Sequence, residues 1–94
     1  MQVAAVWHDE YFGTVSQRHD DMPITATPLD IWQALTNIND REPQAIEDGY
    51  LEDWDAYGSH HKGMVTRIWW GPSSHEQAQE TYERIIAEGA KPGD

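Results

Sequence analysis

Apolar and polar positions alternate at two periods along this chain, and each period predicts a different element. Gln2–Trp7 (QVAAVW) is β-branched and aromatic, and it ends in the polar His8-Asp9-Glu10. It predicts a first strand. Gly13–His19 (GTVSQRH) predicts a second, and the two can form a hairpin around DEYFG (residues 9–13). Asp20–Thr25 extends or leaves this sheet, and Pro23 limits it to an edge. Thr27–Ile38 then reads as a helix: Thr27 caps, Pro28 suits the first turn and Asp30 completes a capping box. Leu29, Trp32, Leu35 or Thr36, and Ile38 line one face, and Asn37, Asn39 and Asp40 end the run.

Ile46, Tyr50, Trp54 and Tyr57 follow at steps of 4, 4 and 3, which predicts a second helix over Pro43–Tyr57 with Gly58 after its end. Gly49 falls inside it and costs about 1 kcal/mol relative to Ala, enough to break the helix into two pieces. Gly63–Trp70 (GMVTRIWW) predicts the strongest strand. Met64, Thr66, Ile68 and Trp70 share one side, Val65, Arg67 and Trp69 the other, and neither side is wholly polar. Such a strand belongs inside a sheet covered on both faces. Ser74–Glu88 predicts a last helix, with Ser73 and Glu76 as a capping box, Ser74 and Gln77 as a second register, and Ala78, Tyr82, Ile85 and Ile86 as its buried stripe. Gly89 closes it, and residues 90–94 are expected to form a frayed tail.

The expected order is β-β-α-α-β-α: one small α+β domain over residues 1–94, with an antiparallel sheet of about three strands packed by helices. The late strand is expected to insert beside the first. The 94 residues suit one domain, and five Trp and four Tyr supply much of its apolar area.

Charge narrows the function classes. The net charge is −11. That argues against direct contact with DNA, RNA or anionic membrane, and in favour of basic protein surfaces as partners. There is no Cys, hence no disulfide framework and no thiolate chemistry. The N-terminus lacks the basic and apolar regions of a secretory signal, and no run approaches the roughly 18 apolar residues of a membrane span. A soluble, cytoplasmic protein is expected.

Candidate chemistry is sparse. His60 and His61 are adjacent, so their side chains diverge on a strand or a helix alike. His75, His8 and His19 lie near strand ends and leave a composite metal site conceivable. Asp53, Asp55 and Gly58 match positions 1, 3 and 6 of a calcium loop, but position 12 is Met64, which has no carboxylate. Ser59 and Ser74 each precede a His, yet a nucleophile and its base are brought together by the fold and not by adjacency. No phosphate-binding glycine motif is present. The expectation is a non-enzymatic protein with no metal and no cofactor. The competing reading is a small metal-binding or catalytic domain around His60, His61 and His75; a third is a structural subunit with Trp69 or Trp70 in an interface.

Asp40–Asp55 holds seven acids and one base. On the expected helix, Asp48, Glu52 and Asp55 form a stripe whose four-residue step rises about 6 Å, and rows of carboxylates at that interval imitate phosphates. The alternative is an ordinary solvated helix face. The candidate binding residues are therefore Asp40, Glu42, Glu47, Asp48, Glu52, Asp53 and Asp55, with Trp69 and Tyr11 as exposed aromatics.

Two resemblances bear on this. The segment RIWWGPSSHEQAQETYERIIAEG (residues 67–89) resembles the second half of a SPOR peptidoglycan-binding domain, in its strand, its serine turn and its helix with Ala78 four residues after Ser74. It covers about a quarter of the chain. SPOR domains add another strand at this point, where only AKPGD (residues 90–94) follows. At the level of a class, the small size, acidity, lack of Cys and many aromatics resemble small phage-encoded inhibitors, the anti-CRISPR proteins and antirestriction DNA mimics. That resemblance implies an inhibitor that binds the Lys/Arg-rich channel of a nucleic-acid-handling complex.

Overall fold

The first strand, β1 (Val3–Asp9), pairs antiparallel on one side with β2 (Gly13–His19) and on the other with β5 (Val65–Trp70). The late strand thus does lie beside the first. Beyond β5 come β4 (Tyr50–Asp53) and β3 (Ala45–Glu47), giving a five-stranded antiparallel sheet in the order β2-β1-β5-β4-β3. The computed structural model describes residues 1–9, 13–54 and 64–93. Helix α1 (Pro28–Thr36) lies on one face and α2 (Ser74–Ala87) on the other.

The α+β class holds, but the three-stranded sheet with three helices does not: there are five strands, with two helices among the described residues. The discrepancy lies in residues 43–57. Most of that stretch forms the β3–β4 hairpin, turning on Asp48-Gly49, so that Glu47 pairs with Tyr50. Gly49 takes φ 78°, a left-handed conformation open to glycine and costly for a residue with a side chain. The segment also alternates at period two. Leu51 and Asp53 are buried on the α1 side, while Tyr50 packs on the α2 side. Ile46 and Trp54, whose helical spacing predicted the second helix, are exposed at 44% and 51%. Asp-Gly between two short alternating runs is a hairpin signal, and it outweighs a four-residue stripe that contains a glycine. Tyr57 lies outside the described residues.

The alternation of β1 builds both cores. Val3 and Ala5 pack with Leu51 and Ile68 under Ile31 and Trp32 of α1, with Leu35, Ile38 and Trp70 at the margin. Ala4 and Val6 face the other way, with Trp69, against Ala78, Tyr82 and Ile85 of α2. The two-sided pattern of β5 is thereby explained, since Ile68 and Trp69 belong to opposite cores.

Helix α1 begins as its sequence requires. Asp30 N–H donates to Thr27 Oγ1 at 3.1 Å, and Thr27 N–H donates to Asp30 Oδ2 at 2.9 Å. Asn37 ends it in the left-handed conformation, φ 61°. Helix α2 has no such box. Ser73 sits at φ −99°, ψ 7°, away from the extended geometry that aims a capping hydroxyl at the helix N–H groups, and its side chain makes no cap bond. The tail is held: Thr14 N–H donates to Lys91 O, and Gly93 N–H donates to Thr14 O, both at 2.8 Å. Residues 91–93 therefore cover part of the outer edge of β2. A Cβ on Gly13 would lie 2.8 Å from Lys91 O, so the close approach of the tail depends on glycine there.

Candidate functional site

The hairpin is anchored from the α1 side. The guanidinium of Arg41 meets the carboxylate of Asp53 in a two-pronged pair, Nη1 to Oδ1 at 2.8 Å and Nη2 to Oδ2 at 2.9 Å. Asp53 is 1% exposed. The same guanidinium lies 5.5 Å from the centroid of the Trp32 ring, and Trp32 Nε1–H donates to Arg41 O at 3.0 Å. This cluster fixes the segment after α1 against the end of β4.

On the α2 side, the helix covers β1, β2 and β5, while β4 and β3 project beyond it. Tyr50 and Trp69 are registered neighbours there, with ring centroids 5.2 Å apart at 41°. The Tyr50 hydroxyl donates to Glu52 Oε1, and Arg67 Nε lies 3.4 Å from the same oxygen. Burial pushes the Tyr50 phenol well above its ordinary value, and the hydrogen bond to Glu52 adds to the shift. The native state holds this proton more tightly than the unfolded chain. Its contribution to stability is therefore complete below about pH 10, the unfolded value, and declines as pH rises beyond it. In chemical denaturation from pH 8 to 11, the wild type should lose more stability than Tyr50→Phe. Equal losses would show that the phenol does not titrate with folding.

Between the hairpin turn, the end of β5 and the first turns of α2 lies a pocket of about 450 Å³, lined by Glu47, Asp48, Tyr50, Trp69, Ser73 and Gln77 among others. Its rim is pinned, because Trp70 N–H donates to Gly49 O at 3.1 Å.

The expected binding residues separate on this fold. Glu47 and Asp48 are exposed at the hairpin turn. Asp40 and Glu42 are also exposed, but they flank Arg41, whose side chain reaches the opposite end of β4. Glu52 is half-buried and engaged by Tyr50 and Arg67. Asp53 is buried in its pair with Arg41 and presents no free charge. Trp69 is 8% exposed, so it belongs to the core and not to an exposed aromatic patch, because α2 packs over it. The stripe Asp48–Glu52–Asp55 does not exist as a helix face: Asp48 is in the turn and Glu52 is in β4. Tyr11, Asp55, His60 and His61 lie outside the described residues.

A helical row of acids exists elsewhere. Glu76, Glu80 and Glu83 are exposed on α2 at steps of 4 and 3. The signal was in the sequence, on the polar side of the helix whose apolar side is Ala78, Tyr82 and Ile85.

Among the described histidines, His75 Nε2 is 3.2 Å from Asp20 Oδ1, and His8 Nδ1 is 2.8 Å from Thr14 Oγ1. Among the described residues, no group of three His, Asp or Glu side chains is placed to hold a metal ion. Nor is any described helix long and apolar enough to cross a membrane.

Compared with protein-family models, curated proteins and solved structures, the chain has no significant match. The strand-turn-helix unit of β5 and α2 is present, but neither the SPOR likeness nor the likeness to phage-encoded inhibitors gains support from these comparisons.

Proposed function

We propose that the protein is a non-enzymatic binding module, an inhibitor whose acidic α2 side meets a basic protein surface that ordinarily holds nucleic acid. The observation that carries this reading is the convergence at the pocket. It places Glu47 and Asp48 of the hairpin turn beside Gln77 of α2, the helix that also carries the exposed Glu76, Glu80 and Glu83. Two of the bases that could offset them, Arg41 and Arg67, lie against Asp53 and Glu52 instead. Uncompensated surface charge of one sign steers association with the opposite sign and repels like-charged partners.

The reading predicts salt-sensitive capture. The full chain, immobilised, should retain nucleic-acid-binding proteins from a lysate, and these should elute as salt rises and the roughly 8 Å screening length shortens. Added duplex DNA should compete for the captured proteins without binding the chain itself. The triple variant Glu76→Gln/Glu80→Gln/Glu83→Gln, changed only at exposed positions, should fold normally and capture less. Capture that is indifferent to salt and to this variant, or that yields partners with no nucleic-acid-binding role, would remove the proposal.

A further inference from the structure

We infer that the cavity between the sheet and the C-terminal end of α2 is a binding site for a small carboxylic acid, held as its anion by Arg67 and His8. The cavity measures about 500 Å³ and lies at the other end of α2 from the hairpin turn. Three parts of the chain build it. β1 supplies His8, β5 supplies Arg67, and the end of α2 with the residues after it supplies Ile85, Glu88 and Lys91. In the β1–β5 register Val6 faces Arg67 and Val65 faces His8, so His8 and Arg67 are diagonal neighbours on the side of the sheet that α2 covers. Such a pair is about 7–8 Å apart, a span that two long side chains close on one ligand.

Arg67 is what points to a ligand, because the fold uses only part of its guanidinium. Nε lies 3.4 Å from Glu52, while Nη1 is buried and has no hydrogen-bond acceptor among the described residues. A buried charged donor left unpaired is costly, and an acceptor arriving through the cavity removes that cost. The side chain keeps 25% of its surface open, so a small turn of the guanidinium presents its Nη edge to the ligand. His8 supplies a second donor. The buried Thr14 hydroxyl holds His8 Nδ1 at 2.8 Å, which leaves Nε2 for the ligand, a donor both in the tautomer where Thr14 donates to Nδ1 and in the imidazolium. A carboxylate matches the fork of Nη1 and Nη2. Asp9, Glu88 and the negative end of the α2 dipole border the same cavity; they admit one negative charge and oppose the second charge of a phosphate. Asp9 and Lys91 each have a contact of their own, so recognition falls to Arg67 and His8, and Ile85 offers the apolar contact for the body of the acid.

The test follows the backbone amide NMR signals of Gly89 and Ala90, which line the cavity, and the ring signals of His8 in the full chain. The probes are isovalerate, standing for a free acid, and N-acetylleucine, standing for the end of a peptide; which of them binds tells the two sources apart. Their amides, isovaleramide and N-acetylleucinamide, keep the shape and drop the charge. The expected result is a saturable shift with at least one acid, and binding of its amide at least about tenfold weaker. Arg67→Lys keeps the charge, loses the fork and should weaken the acid several-fold. If that variant does not fold, His8→Gln, which keeps a polar group for Thr14, carries the same expectation. No saturable shift with either acid, equal binding of acid and amide, inorganic phosphate bound as tightly as the acid, or a folded variant that binds like wild type overturns the inference. Glu76→Gln/Glu80→Gln/Glu83→Gln changes no residue of this cavity and should bind the acid as wild type does, so the inference is tested independently of the acidic-module reading.

Discussion

Replacing Arg41 by Ala is expected to destabilise the domain by about 4 kcal/mol, because it strands a carboxylate that water cannot reach. Asp53 is 1% exposed, and Arg41 supplies both of its described hydrogen bonds. Against a typical total stability of roughly 5–15 kcal/mol, a loss of that size leaves a substantial unfolded fraction. The complementary change should be milder. Arg41 is 28% exposed, so in Asp53→Asn its guanidinium turns toward solvent while the amide keeps the shape of the lost carboxylate. Arg41→Lys should fall between the two, since it keeps the charge and loses the fork. Urea denaturation followed by circular dichroism gives the order. An Arg41→Ala variant within about 1 kcal/mol of wild type would mean that Asp53 finds another donor.

Trp32→Ala should cost a comparable amount, about 3–5 kcal/mol, for a different reason. Trp32 is 0% exposed and is the largest fully buried side chain, so its removal leaves a cavity beneath α1 that Ile31, Leu51 and Ile68 cannot fill by small shifts. Trp32→Phe retains most of the volume and loses the indole N–H to Arg41 O, which predicts a smaller cost of about 1–2 kcal/mol. Because the indole also lies against the Arg41 guanidinium, the two Ala substitutions should not add: the double variant should be less damaged than the sum. Strict additivity in the same denaturation experiment would show that the ring and the ion pair act independently.

What could be read from the sequence follows the strength of local signals. The Thr27–Asp30 capping box, the limits of β2 and the central placement of Val65–Trp70 all come from short-range chemistry or unmixed period-two patterning, and the fold contains all three. The hairpin was hidden by coincidence. Ile46, Tyr50 and Trp54 satisfy a helical spacing, while the strand facts lie in Leu51 and Asp53, which alternate over too few residues to dominate a pattern count. Reading Asp48-Gly49 as a turn, not as a weak point in a helix, would have resolved it. The Arg41–Asp53 pair had a fainter signal, a lone base within an acidic run, and its partner among seven acids is fixed only by the register of β4. The burial of Trp69 depends on α2 packing over that face, which no window around Trp69 contains.

The strand order also sets when the protein becomes whole during synthesis. Two hairpins, β1–β2 and β3–β4, join neighbours in sequence, whereas the β1–β5 ladder runs from His8–Val65 to Val3–Trp70. At about 5–20 residues per second, the roughly sixty residues between those partners take several seconds to emerge from the ribosome. Through that interval β1, the most apolar strand of the fold, has one side unpaired, and neither core can close. The nascent chain therefore carries an unpaired apolar edge until Trp70 is made, the condition in which one strand edge can pair with another chain.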